Sequence, residues 1–188
     1  MNFLDMAAYS IEGFVKIWCP DTGEIFVNKR NAIHAENLSL SIANALSEKT
    51  QFISEIHFGN GGTTTDSVGN IVYRTTNTSE SNADLYSAIY YKVIDKSDTT
   101  NNSTPTLNKT EVTHTSDTNY SDLTVTSTIG TNEPVSGTSF IFDELGLKSK
   151  GSTLGSGNLL THVIFNPVTK QATNTAQVVY TLRFRITT

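Results

Sequence analysis

The sequence predicts a mainly β protein, an antiparallel β-sandwich or flattened barrel with one amphipathic helix near the N-terminus. Segments of alternating apolar and polar residues, the period of a half-buried strand, recur along the chain and are longest at its end. Thr, Ser and Asn supply 65 of the 188 residues while charged residues make up 16 %, a bias toward strands with hydroxyl-rich faces and long polar loops. Helical periodicity is confined to one stretch, so the crossover helices that a parallel sheet requires are missing.

The first element is the strand "SIEGFVKIW", rich in β-branched and aromatic residues. "CPDTGE" then brings Pro20, Asp21 and Gly23 into a tight turn that leads to "IFVNK", completing an N-terminal hairpin. The period changes in "NAIHAENLSLSIANALSEK", where Ile33, Leu38, Ile42, Ala45 and Leu46 fall on one helical face. "FISEIHF" returns to a two-residue period, with Ile56 and Phe58 on one side and Glu55 and His57 on the other. Short apolar pieces follow, "NIVY" and "LYSAIYYKVI", separated by stretches of loop composition; the polar insert Ser97 to Lys109 is the longest of these.

The C-terminal third is the most regular. "YSDLTVTSTI" alternates, "GTNEPVSG" breaks it, and "SFIFDELGLKS" and "NLLTHVIFNPV" form two further strands joined by "KGSTLGSG". In "AQVVYTLRFRI", Ala176, Val178, Tyr180, Leu182, Phe184 and Ile186 alternate with Gln177, Val179, Thr181, Arg183 and Arg185. Seven to nine short strands are expected in all, with Tyr86, Tyr90 and Tyr91 assigned to the core by default.

The length fits one domain spanning residues 1–188. A net charge of −5 gives no general electrostatic pull toward nucleic acid, which is not expected as a partner. Cys19 is the only cysteine, so neither an intrachain disulfide nor a cysteine-rich metal site is available. The first residues lack a basic segment followed by an apolar core, and no apolar run approaches a membrane span. Folding in a cytoplasm, without a membrane span, is therefore expected.

The stretch "HFGNGGTTTDSVGN" raises the question of what Gly59, Asn60, Gly61 and Gly62 hold. A phosphate cradle needs a following helix and a Lys-Ser/Thr pair, whereas this stretch continues into turn residues and the acidic Asp66. The expected role is a strand terminus where glycines supply positive φ and close backbone approach. His34, His57, His114 and His162 show no metal-ligand spacing, and no metal or other cofactor is expected. His57 and His162, opposite apolar neighbours in their strands, read instead as hydrogen-bonding residues of a sheet face or subunit contact.

Asp143 and Glu144 are adjacent in a strand and so are expected on opposite faces, unable to act on one bond. The central residue of "GSTLG" is Thr153, so no nucleophile elbow is present, and no catalytic residue is assigned. Arg183 and Arg185 share one face of the final strand, which is an ordinary solvated face for either residue alone or, at an interface, one whose guanidinium groups pair with acidic loops of a neighbouring copy such as those of Glu133 or Asp143.

The order "TGEIFVNKRNAIH", "HFGNGGTTTDSVGNIVY", "NADLYSAIYYKVID", "EPVSGTSFIFDELGLKS", "LLTHVIFNPVTK" and "VVYTLRFRI" resembles a group of small virion structural proteins of tailed bacteriophages. The resemblance covers about Thr22 to Ile186, and the insert Ser97 to Lys109 departs from it. It implies a non-enzymatic β-sandwich subunit in the virion, assembled in the host cytoplasm. Its partners would be copies of itself in a symmetric ring and other virion proteins of the neck or collar (including the portal), tail or baseplate. The alternative is a capsid decoration or fibre module that recognises host surface carbohydrate through polar and Tyr-bearing loops; a sugar hydrolase ranks last for want of a carboxylate pair.

Overall fold

The computed structural model describes residues 8–47, 52–80, 82–94 and 108–187. The described strands are β1 (Ala8–Trp18), β2 (Ile25–Arg30), β3 (Ala32–Ile33), β4 (Ile53–Gly59), β5 (Thr63–Thr65) and β6 (Ile71–Tyr73), then β7 (Ala88–Val93), β8 (Lys109–His114), β9 (Tyr120–Ile129), β10 (Phe140–Ser149), β11 (Thr161–Lys170) and β12 (Ala176–Thr187). The helix α1 spans Ala35–Ser47. One five-stranded sheet has the order β2-β1-β12-β9-β8, the other β3-β11-β10-β4-β7, and β5 with β6 forms a separate hairpin. Every pairing is antiparallel, so the fold is the mainly β, sandwich-like architecture expected from the sequence.

The two large sheets bury their facing side chains in one apolar cluster. Val15, Ile17, Val125, Val178, Tyr180 and Leu182 come from the first sheet, and Ile56, Phe58, Phe142, Leu145, Leu147 and Val163 from the second. The alternation read in the last strand is the alternation of this core, since Ala176, Val178, Tyr180 and Leu182 are fully buried. Phe58, Phe140, Phe142 and Phe165 meet largely edge to face, the arrangement that their ring quadrupoles favour.

β2 and β3 are separated only by Asn31, yet they lie on the edges of different sheets. This bend closes one side of the sandwich, as in a flattened barrel. It also corrects the expected helix start: Ile33 pairs with Thr161 in β3, and the helix begins after His34. His34 Nδ1 accepts the Asn37 N–H at 3.3 Å, which satisfies one of the free donors of the first turn. Along the helix Leu38 is buried, Ile42 half-buried and Ala45 exposed, while the side chain of Leu46 lies outside those described. β3, β5 and β8 were not expected; β3 is only two residues long, and the Thr- and Lys-bearing sequences of β5 and β8 resemble the surrounding loops.

Of the tyrosines assigned to the core, only Tyr90 packs against it, while Tyr86 and Tyr91 are exposed. In the polar insert, residues 97–107 lie outside the described residues. Asn108 is buried, its side-chain oxygen accepting from Ser127 Oγ and the Thr128 N–H, and Lys109 opens β8. No helix among the described residues is long and apolar enough to cross a membrane.

Candidate functional site

β4 and β10 pair with Gly59 opposite Glu144 and Glu55 opposite Lys148. Ile56, Phe58, Leu145 and Leu147 point into the core, so Glu55, His57, Glu144 and Lys148 project from the other face of the sheet. That face would be solvated in a bare sandwich. Here it is covered by residues 60–80, 82–87 and 150–158, and the polar residues beneath them are almost wholly buried. Buried charge is tolerated only where hydrogen bonds complete it.

Glu144 is completed by four donors. Its Oε1 accepts the N–H groups of Ser87 at 2.8 Å and Gly61 at 3.1 Å, and its Oε2 accepts the Tyr86 N–H at 3.0 Å. His162 Nε2 also donates to Oε2 at 2.9 Å, because its Nδ1 accepts the Asn77 N–H at 2.8 Å and the ring therefore holds its proton on Nε2. Burial pushes the Glu144 carboxyl up, but the bonds from His162 and from the backbone of Ser87, Tyr86 and Gly61 outweigh it and hold the group below its ordinary value.

Asp143 serves the same turn. Its Oδ1 accepts the Gly62 N–H at 2.8 Å, and its Oδ2 accepts the N–H of Thr63 at 2.9 Å and the Thr63 hydroxyl at 2.5 Å. The expectation that Asp143 and Glu144 face opposite ways is therefore corrected. The β10–β11 register shifts between Phe142 and Glu144, and this bulge re-aims one side chain so that both acids reach one loop.

The glycine turn does bind anions, and the anions are the chain's own carboxylates. Successive backbone N–H groups that converge on negative charge make a nest of the kind used for phosphate, and here Asp143 and Glu144 fill it. Gly59, Gly61 and Gly62 are absent from the positive-φ residues, so conformational freedom is not what this turn needs. Close approach is: a Cβ on Gly62 would come within 2.9 Å of Ile164 Cγ2, and one on Gly61 within 2.9 Å of the Ser87 backbone nitrogen. Asn60 is exposed and donates its N–H to Ser87 O at 3.1 Å.

The filled turn anchors the base of the β5–β6 hairpin. Thr63 begins β5, and the Arg74 N–H beyond β6 donates to Gly62 O at 2.9 Å. At the far end, Asp66 Oδ1 accepts the N–H groups of Val68 and Asn70, which fixes the tip around Gly69 in its left-handed conformation. The tip displays Val68, 78 % exposed, and β6 displays Ile71, Val72 and Tyr73.

Other buried charges fasten the remaining cover. Glu55 lies 2.7 Å from His57 Nε2 and accepts the Gly155 N–H, while Lys148 Nζ donates to Asp84 at 2.7 Å and to Gly155 O at 2.9 Å. Glu133, expected at a contact with another copy, is engaged internally by Lys92 at 2.8 Å and by the Gly130 N–H at 2.7 Å.

Arg183 is likewise engaged, through Nε and Nη2, by both oxygens of Asp122 at 2.8 Å, with Tyr120 under its guanidinium at 4.2 Å. These bonds hold the Asp122 carboxyl below its ordinary value, with burial opposing them. Arg185 remains exposed beside the same tyrosine. The expected contact residues therefore divide: Gly59, Gly61, Gly62, Glu133, Asp143 and Arg183 are engaged within the chain, and Asn60 and Arg185 are exposed to solvent. The hairpin escaped the sequence reading, although "SVGNIVY" contains its signal, four apolar residues around a turn glycine.

Among the described residues no group of three or more His, Cys, Asp and Glu side chains is placed to hold a metal ion. Comparison with known proteins finds no matching family model, curated protein or solved structure.

Proposed function

We propose that this chain is a structural subunit of a tailed-phage virion, used in multiple copies in the neck, collar or tail and acting through protein–protein contacts. The observation that carries the contact is the β5–β6 hairpin. It holds Val68, Ile71, Val72 and Tyr73 toward solvent on a turn that internal hydrogen bonds already fix. Exposed apolar side chains on a pre-organised element suit a protein interface, because little ordering cost remains to be met on binding. The chemistry of the buried acids supports the same reading: their oxygens are occupied by the chain's own donors, so they brace loops rather than await a substrate. The virion setting rests on the sequence resemblance, and copies arranged in a closed ring are the simplest use of such a contact. Density-banded particles of a phage that encodes this chain should contain it in a fixed multiple of a ring order, measured by quantitative mass spectrometry. Its loss from washed particles would overturn the assignment.

A further inference from the structure

Where β2 bends into β3, the chain faces the exit of the hairpin across a cleft of about 180 Å³ that β11 also lines. Lys29, Arg30 and Arg74 line this cleft, and among the described residues no acidic one does, in a chain whose net charge is −5. Their charges are poorly matched within the molecule. Lys29 Nζ donates to the carbonyl of Ile164 at 2.6 Å, and Arg30 reaches Glu12 only at 3.5 Å, across an exposed pair. Among the described residues Arg74 meets no carboxylate; its guanidinium lies over the Tyr86 ring at 4.7 Å. Tyr86 is fixed in turn by its hydroxyl, which donates to Thr75 O at 2.6 Å. With no carboxylate partner among the described residues, the Arg74 guanidinium has N–H donors to offer, and a guanidinium can receive a carboxylate through two parallel bonds.

Size and lining narrow the ligand. The cleft is smaller than the roughly 300–1,000 Å³ that encloses a drug-sized molecule, so it suits one charged ring rather than an extended ligand. Thr76 adds a hydroxyl and Tyr73 an exposed aromatic ring at the same cleft, partners suited to sugar hydroxyls and to the apolar face of a pyranose. We propose that this cleft binds the carboxylate of an acidic sugar residue, with Arg74 holding the carboxylate and Lys29 and Arg30 supplying flanking charge. This goes beyond the assembly role and does not depend on it.

The test is a titration of the ¹⁵N-labelled chain with sodium D-glucuronate at low salt, followed by amide shifts, with D-glucose and sodium phosphate as controls. Saturable shifts at Ala32, Thr76 and Val163 with glucuronate, none with glucose and weaker ones with phosphate are expected. Arg74→Gln should weaken glucuronate binding by about tenfold or more, the cost of a lost charge-assisted pair, and Arg185→Gln should leave it unchanged. Should Arg74→Gln fail to fold, Arg30→Gln at an exposed position tests the same charge and should also weaken binding. No saturation with glucuronate, phosphate binding as tight as glucuronate, or full affinity in the folded arginine variants would each overturn the proposal.

Discussion

Glu144 receives donors on every side, so a glutamine there must turn its amide NH₂ toward at least one backbone N–H or toward His162. Glu144→Gln should cost about 2–4 kcal/mol, from one or more buried donors left unmet and the loss of charge-assisted bonds. Because Glu144 is held below its ordinary value of 4.5, the unfolded chain binds that proton more readily. The stability it contributes is therefore complete above the unfolded value and is lost as pH falls through the folded one. Urea midpoints measured downward from neutral pH should drop below about pH 4.5 in the natural chain, and Glu144→Gln should start lower and fall less steeply. An unchanged slope in the variant would show that other acids govern the acid limb. His57 and His162 were legible as hydrogen-bonding residues of a sheet face, because a histidine opposite apolar neighbours in a strand must find partners there. Asp143 and Glu144 were not legible, since strict alternation separates neighbours and only the bulge brings them to one loop.

Strands whose alternation matches a two-sided environment were read correctly, and β12 is the clearest, with one face in the core and the other bearing Arg183 and Arg185. β4 defeats the same rule. Both of its faces are buried, one by the core and one by the covering segments, so the side that bears Glu55 and His57 is not an open sheet face. At β12 the pairing of Arg183 opposite Asp122 changes how the arginine face must be tested. Reversing Arg183 would set two carboxylates against each other across adjacent strands, and any loss of assembly would be confounded by local destabilisation. Arg185→Glu is the cleaner probe. It should change the thermal midpoint by less than about 2 °C, as exposed substitutions without buried partners do, and if this face joins subunits it should lower the self-association measured by light scattering. Unaltered association would remove the face from the interface.

At the scale of the molecule, the sandwich is a scaffold whose second sheet wears a cover pinned by buried carboxylates, and the hairpin rises from the most heavily pinned point. The fold class was legible because composition and period agree along most of the chain. The cover was not, because what holds it is contact between residues far apart in sequence, as Gly62 and Asp143 are. On the reading proposed above, this pinned hairpin meets the protein's partners, and a second copy is the first partner to test. Sedimentation velocity over a wide concentration range, on the natural chain and on Val68→Asp/Val72→Asp, measures it most directly. The account predicts concentration-dependent oligomers for the natural chain and a monomer for the variant at an unchanged thermal midpoint; a variant that associates as strongly as the natural chain would contradict it.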